Sequence, residues 1–267
     1  MKKTIAALMA LSSVSMGAEL VAGWYDFSET TASGYTLSLT SAASVNDGVL
    51  ALTHTGNPTN DSVADATIDL TSAGLTMDKG FTVSITLSNL SIWGDSTKNP
   101  AGIFGLGTGT EGKAYTYLVS YDCSGQGNKY DGGYDGSKAK LDFTAADGAV
   151  QTSPRTDTPV TLTVTFLDTN VIYYVDGNQI GTFSLKVGQT VNNSVVGDYT
   201  GDVITTLAIG SWAGKTANGH ANGNFYNLAI YNGAMSASEV KALIPEPATA
   251  TLSLLALAGM AMRRRRY

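Results

Sequence analysis

The chain contains one cysteine, Cys123, in 267 residues, so no disulfide can form within it. Charge is scarce too: 14% of residues are charged, with 16 Lys+Arg against 22 Asp+Glu, a net −6. A nucleic-acid binder needs a basic surplus to neutralise phosphates, and that class is excluded. There are two histidines, His54 and His220, too few to complete a four-ligand zinc site with Cys123. No local signature assembles a Ser-His-Asp triad. Gly105–Thr110 looks like a phosphate loop but lacks the lysine and the following helix, and reads as a turn. Glutamate is rare. Before the tail it occurs at Glu19, Glu29, Glu111 and Glu239, none with another acid two or four residues away. Retaining glycoside hydrolysis with paired carboxylates needs two carboxyl groups about 5–5.5 Å apart. What the chain does have is 43% hydrophobic residues, 30 Gly, and 13 Tyr against 7 Phe. That profile, rich in turn formers and aromatics, belongs to an extracellular all-β protein rather than a disordered one.

The ends are not fold. Lys2 and Lys3 precede an apolar run from Ile5 to Val14, and small residues follow to Ala18. Residues 1–18 therefore read as a secretory signal peptide. At the other end Pro245-Glu246-Pro247 leads into an apolar stretch, Ala248 to Met262, closed by Arg263, Arg264, Arg265 and Arg266. As a helix that stretch reaches about 22 Å, short of the roughly 30 Å hydrocarbon core. The arginines favour the cytoplasmic side. This order of motif, apolar stretch and arginine block resembles the PEP-CTERM sorting signal of Gram-negative bacteria. The resemblance implies transient inner-membrane contact, recognition by an exosortase-type transpeptidase near Pro245-Glu246-Pro247, and delivery to the cell surface, outer membrane or extracellular matrix. Without Lys2, Lys3 and the four arginines, ten of the 16 basic residues remain against 22 acids, so the mature body is near −12. Such a surface favours cations over anionic polymers.

Between the ends the pattern has a period of two. Phe81, Val83, Ile85 and Leu87 alternate with Thr82, Ser84, Thr86 and Ser88, and Thr161–Phe166 repeats the pattern. Asp176-Gly177-Asn178 between Val171–Val175 and Gln179–Phe183 is a hairpin signal, because Asp and Gly tolerate positive φ. Further strands are expected near Trp24–Phe27, Val49–Leu52, Thr67–Leu70, Ile103–Leu106, Tyr115–Tyr121, Lys140–Phe143, Thr206–Ile209 and Phe225–Tyr231. One helix is expected at Ser236–Leu243, where Ser236 and Glu239 form a capping box and Pro245 ends the run. No linker divides residues 19–244, so one domain is expected, flanked by the signal (1–18) and the sorting tail (245–267).

The order of these segments resembles the concanavalin A-like lectin/glucanase jelly roll in its laminin-G-like form. The likeness runs from Trp24-Tyr25-Asp26-Phe27 through Phe81–Ser84, Ile103–Leu106, the Tyr173–Ile180 hairpin and Leu207–Gly210 to Gly223–Asn232 with the helix after it. The family's Trp-x-His before the hairpin strand is missing, and Thr158-Pro159-Val160-Thr161-Leu162 stands there. The resemblance implies an all-β, two-sheet antiparallel sandwich with one short C-terminal helix, and Ca²⁺ at its rim, for which Asp131 and Asp135 are candidates. Aromatic rings with nearby Asp suit sugar binding, so Tyr117, Tyr121, Tyr130, Asp131, Tyr134 and Asp135 form the expected ligand site, with Trp93 and Trp212 beside them. The expected function is that of a protein without catalysis, carbohydrate-binding or adhesive, with glycan or exopolysaccharide partners and no nucleic acid. A glycoside hydrolase acting on extracellular polysaccharide, or a structural matrix protein, are the alternatives.

Overall fold

Strand pairing follows the two-residue period. The computed structural model describes residues 17–40, 42–54, 66–92, 101–108, 117–121, 130–134, 142–146, 152–185, 187–188, 190–191, 194–195, 198, 200–211 and 220–244. In chain order the strands are β1 (Glu19–Trp24), β2 (Thr31–Ala32), β3 (Tyr35–Leu39), β4 (Ala43–Asn46), β5 (Val49–Leu52), β6 (Ala66–Asp69), β7 (Phe81–Ile92), β8 (Ala101–Gly107) and β9 (Tyr117–Tyr121). They continue with β10 (Tyr130–Tyr134), β11 (Asp142–Ala145), β12 (Val160–Leu167), β13 (Asn170–Val175), β14 (Asn178–Ser184), β15 (Thr190–Val191), β16 (Ser194–Val195), β17 (Thr206–Ile209) and β18 (Ala221–Asn232). One α-helix, α1 (Ala237–Leu243), follows.

A nine-stranded sheet runs β11-β14-β13-β12-β7-β18-β5-β4, with β1 also on β18, and a seven-stranded sheet runs β10-β9-β8-β17-β6-β3-β2. The two form an antiparallel jelly-roll sandwich, as expected. The core lies between them in one cluster. Phe81, Val83, Ile85 and Leu87 of β7 pair in register with Phe166, Val164, Leu162 and Val160 of β12. Facing them are Leu37, Ile68, Leu106, Val119 and Leu207 of the smaller sheet. Two register shifts in β18 change its phase, so that Phe225 as well as Leu228 and Ile230 is buried.

Turn chemistry sets the hairpins. Asp176 (φ 48°) and Gly177 (φ 78°) join β13 to β14, and Asp47 (φ 50°) with Gly48 (φ 80°) does the same for β4 and β5. The outer hydroxyl row of β7 pairs with that of β12: Ser84 with Thr163 at 2.9 Å and Thr86 with Thr161 at 2.9 Å. Part of this face is covered. The α1 segment buries Met235 and Val240 against Ala18, Tyr174 and Tyr231, and the Met235 N–H donates to the Thr82 hydroxyl at 3.0 Å. The capping box forms as expected. The Glu239 carboxylate also accepts the Gly17 N–H at 2.7 Å, which ties the first described residue to the helix.

Several strands differ from expectation: β2, β3, β4, β10, β15 and β16 lie where the pattern predicts none. The first strand ends at Trp24, not Phe27, because its partners on β18 run from Leu228 to Asn232 and residues 25–30 bend away.

Candidate functional site

Among the described residues, the outer face of the seven-stranded sheet is buried on β9 and exposed on β3 and β6. Leu118 and Ser120 of β9 and Ala208 of β17 have outward parity, yet all are buried. On β3 and β6, Thr36, Ser38 and Asp69 are exposed. Here a shallow trough of about 380 Å³ opens, lined by Ser38, Thr67, Asp69, Thr71, Thr205 and Thr206. Register builds it: Ser38 lies opposite Thr67 and Thr206 opposite Asp69, so alternate residues of three adjacent strands present side-chain oxygens to one surface.

Asp69 carries the charge of the trough. The Thr71 hydroxyl and backbone N–H, the latter donating at 2.9 Å, hold its carboxyl below the usual carboxylate range, so it is ionised at neutral pH. The Thr205 hydroxyl donates to the Gly107 carbonyl at 3.2 Å and fixes the far wall. The surface offers hydroxyls that donate or accept and a carboxylate that only accepts. A polyol matches this set.

A second surface lies along β1 and the residue after it. Tyr25 is 73% exposed and Leu20 40% exposed. Between them is Gly23, where a Cβ would stand 3.5 Å from a Leu20 methyl and 3.9 Å from the Tyr25 ring. The ring flanks bare backbone and shows most of its area to solvent.

The aromatic residues expected to bind sugar are placed otherwise. Tyr117, Tyr121 and Tyr130 are all at most 2% exposed and belong to the core. Tyr117 packs edge to face on Phe166 of the opposite sheet at 5.3 Å, and Tyr121 packs the same way on Tyr130 at 5.0 Å. Their expected role as open stacking surfaces is corrected: a ring between two sheets cannot meet a ligand from solvent. The hydroxyls of Tyr117 and Tyr130 are satisfied inside. Tyr173 OH donates to the Asp131 carbonyl at 3.3 Å, and so accepts from Tyr117 OH at 3.1 Å. Tyr130 OH donates to the Thr152 carbonyl at 3.0 Å. Burial pushes the phenols of Tyr117, Tyr130 and Tyr173 well above 10. Asp131 is half-buried on β10. Tyr134 ends that strand, and its side chain lies outside the described residues, as do Asp135, Trp93, Trp212 and Cys123 and the sorting residues Pro245, Glu246, Pro247 and Arg263–Arg266. Among the described residues no three His, Cys, Asp or Glu side chains gather around a common point.

The sequence reading missed the trough and Tyr25. Ser38 and Thr67 carry a weak signal in the alternation of Tyr35–Leu39 and Ala66–Asp69. Nothing local marks Tyr25 as exposed.

No protein-family model matches the chain, and no curated protein matches it by sequence. Solved structures do. Trypanosoma rangeli sialidase matches at a TM-score of 0.52 and 18% identity, over 84% of this chain and 32% of the sialidase. Domain 4 of AbnA, a GH43 extracellular arabinanase from Geobacillus stearothermophilus in complex with arabinotriose, matches at a TM-score of 0.44 and 14% identity, over 85% of this chain and 99% of that domain. The chain thus spans about a third of the sialidase's length. At this identity the likeness establishes the fold. It also overturns the expectation that the chain is not an enzyme, because the same fold occurs within a glycosidase. That expectation rested on the missing pair of glutamates, and sialidases work with a tyrosine nucleophile instead. The absent pair therefore does not separate this fold from catalysis.

Proposed function

We propose that the protein recognises carbohydrate through the trough on its seven-stranded sheet and is exported for display at the cell surface. The observation that carries the binding reading is the row of side-chain oxygens from Ser38, Thr67, Asp69 and Thr206 on one open sheet face, with Asp69 held ionised. Vicinal hydroxyls of a sugar donate to that carboxylate while the Ser and Thr hydroxyls complete the set. A shallow polar site binds one sugar weakly, and repetition along a polysaccharide raises the avidity. Support comes from the sialidase that contains this fold over about a third of its length and has been solved with sialic acid bound. The export reading rests on the signal peptide and on Pro245-Glu246-Pro247 with its arginine block. It implies an exosortase-type partner and transient membrane contact.

The test is a glycan panel incubated with the protein, with and without EGTA. Retention supports recognition, and loss of retention in EGTA assigns Ca²⁺. Released sugar in the same wells assigns turnover. A panel with neither retention nor release overturns the proposal.

A further inference from the structure

The two histidines of the chain meet at one end of the sandwich. His54 follows β5 and His220 precedes β18, and their rings lie edge to face with centroids 5.5 Å apart and planes at 74°. His220 is buried and His54 half-buried.

Asn222 fixes the state of His54. Its Oδ1 accepts the His54 backbone N–H at 2.8 Å, so that atom is the oxygen. The ring Nδ1 lies 2.9 Å from the same oxygen and must therefore donate. With its proton on Nδ1, a neutral imidazole presents Nε2 as the electron-pair donor. Metal-binding histidines are commonly oriented in this way, by an acceptor on the nitrogen away from the ion.

The backbone after His220 is held to the smaller sheet: the Ala221 N–H donates to the Gly210 carbonyl at 2.8 Å. The segments that follow β5 and precede β18 thus bring two imidazoles together.

The ring spacing matches a shared ion. Zn–N bonds of about 2.0–2.1 Å at a tetrahedral angle place two imidazole centroids about 5 Å apart. The observed 5.5 Å is within reach of a small side-chain adjustment.

We propose that His54 and His220 form a binding site for a divalent transition metal, with Zn²⁺ the cation suited to them. Two nitrogen donors favour zinc over Ca²⁺, which takes oxygen. With two protein nitrogens the remaining positions are left to water or to another oxygen ligand. The site differs from the Ca²⁺ expected at Asp131, and it does not depend on glycan binding.

Untagged protein is titrated with Zn²⁺ by calorimetry, and a second sample is loaded with Cu²⁺ for paramagnetic resonance. The expected result is one Zn²⁺ per chain and a Cu²⁺ spectrum with nitrogen hyperfine structure from two imidazoles. His54→Gln or His220→Gln removes the binding, Asn222→Ala weakens it about tenfold, and Asp131→Asn leaves it unchanged. Absence of zinc binding, binding that survives both histidine variants, or a Cu²⁺ spectrum without imidazole nitrogen overturns the proposal. If a variant fails to fold, the wild-type Cu²⁺ spectrum still decides.

Discussion

Tyr117→Phe and Tyr173→Phe are predicted to differ, although the two hydroxyls share one hydrogen bond. Tyr173 OH donates to the Asp131 carbonyl, so Tyr117 OH donates to Tyr173. Both rings are fully buried. In Tyr117→Phe a donor is lost, and Tyr173 keeps its own acceptor. The cost is that of one net neutral hydrogen bond, about 0.5–1.5 kcal/mol. In Tyr173→Phe the Tyr117 O–H is left in the core without an acceptor, and an unsatisfied buried group costs about 1–3 kcal/mol. The second variant should therefore be less stable by about 1 kcal/mol. Urea unfolding measures this. With a slope of about 2 kcal/mol/M, the midpoints separate by about 0.5 M at unchanged slope. Neither variant should alter glycan retention, because both rings are closed off from solvent. Equal or reversed midpoints would refute the donor order. Loss of retention at unchanged stability would refute the assignment of these tyrosines to the core.

Further outcomes follow from the same geometry. Burial, helped by the nearby Tyr25, pushes the Tyr231 phenol up to about 12; a raised phenol stabilises the fold below its ordinary 10 and that contribution is lost as pH rises towards 12. The part of the tyrosinate absorbance that Tyr231→Phe removes should accordingly appear together with loss of circular dichroism above pH 10, not before it. Ser236→Ala removes a helix cap at a cost of about 1 kcal/mol, and faster amide exchange confined to α1 would show it. Hydrogen bonds from Ser236 and then Gly17 hold the Glu239 carboxyl low, so its contribution is present above the ordinary 4.5 and lost as pH falls through the folded value. Amide protection at α1, taken relative to the intrinsic exchange rate at each pH, should therefore fall in acid, and less so in Glu239→Gln. Gly210→Ala places a Cβ 2.1 Å from a Leu52 methyl at φ +74°, which should cost about 1–3 kcal/mol. Leu52→Ala costs about 2–5 kcal/mol on its own because Leu52 is in the core, but it also relieves the overlap, so the double variant should lose less stability than the sum of the two single variants.

The fold was legible where a long pattern and a strong turn coincide. In β7, β12 and the Asp176-Gly177 hairpin, alternation and turn chemistry point the same way. The shorter pairs were harder. Asp47-Gly48 has the same turn chemistry, but β4 and β5 have four residues each, too few for a period to stand out. The tyrosines failed for another reason. Period two places Tyr117, Val119 and Tyr121 on one face, but it does not say which face is inside. On β9 both faces are buried, so composition offered no tie-break. The histidine pair is a tertiary fact. His54 and Asn222 are 168 residues apart, and only the pairing of β5 with β18 joins them.

Thr67 lies at the centre of the trough, between Ser38 and Ala208 in register, and its side chain faces away from the core. Affinity chromatography on the polysaccharide retained by the wild-type protein, repeated with Thr67→Arg, measures the role of the trough most directly. Binding through this face predicts that the arginine abolishes retention while the urea midpoint stays within about 0.25 M of wild type. Undiminished retention by a folded Thr67→Arg protein would place the carbohydrate elsewhere and contradict the account.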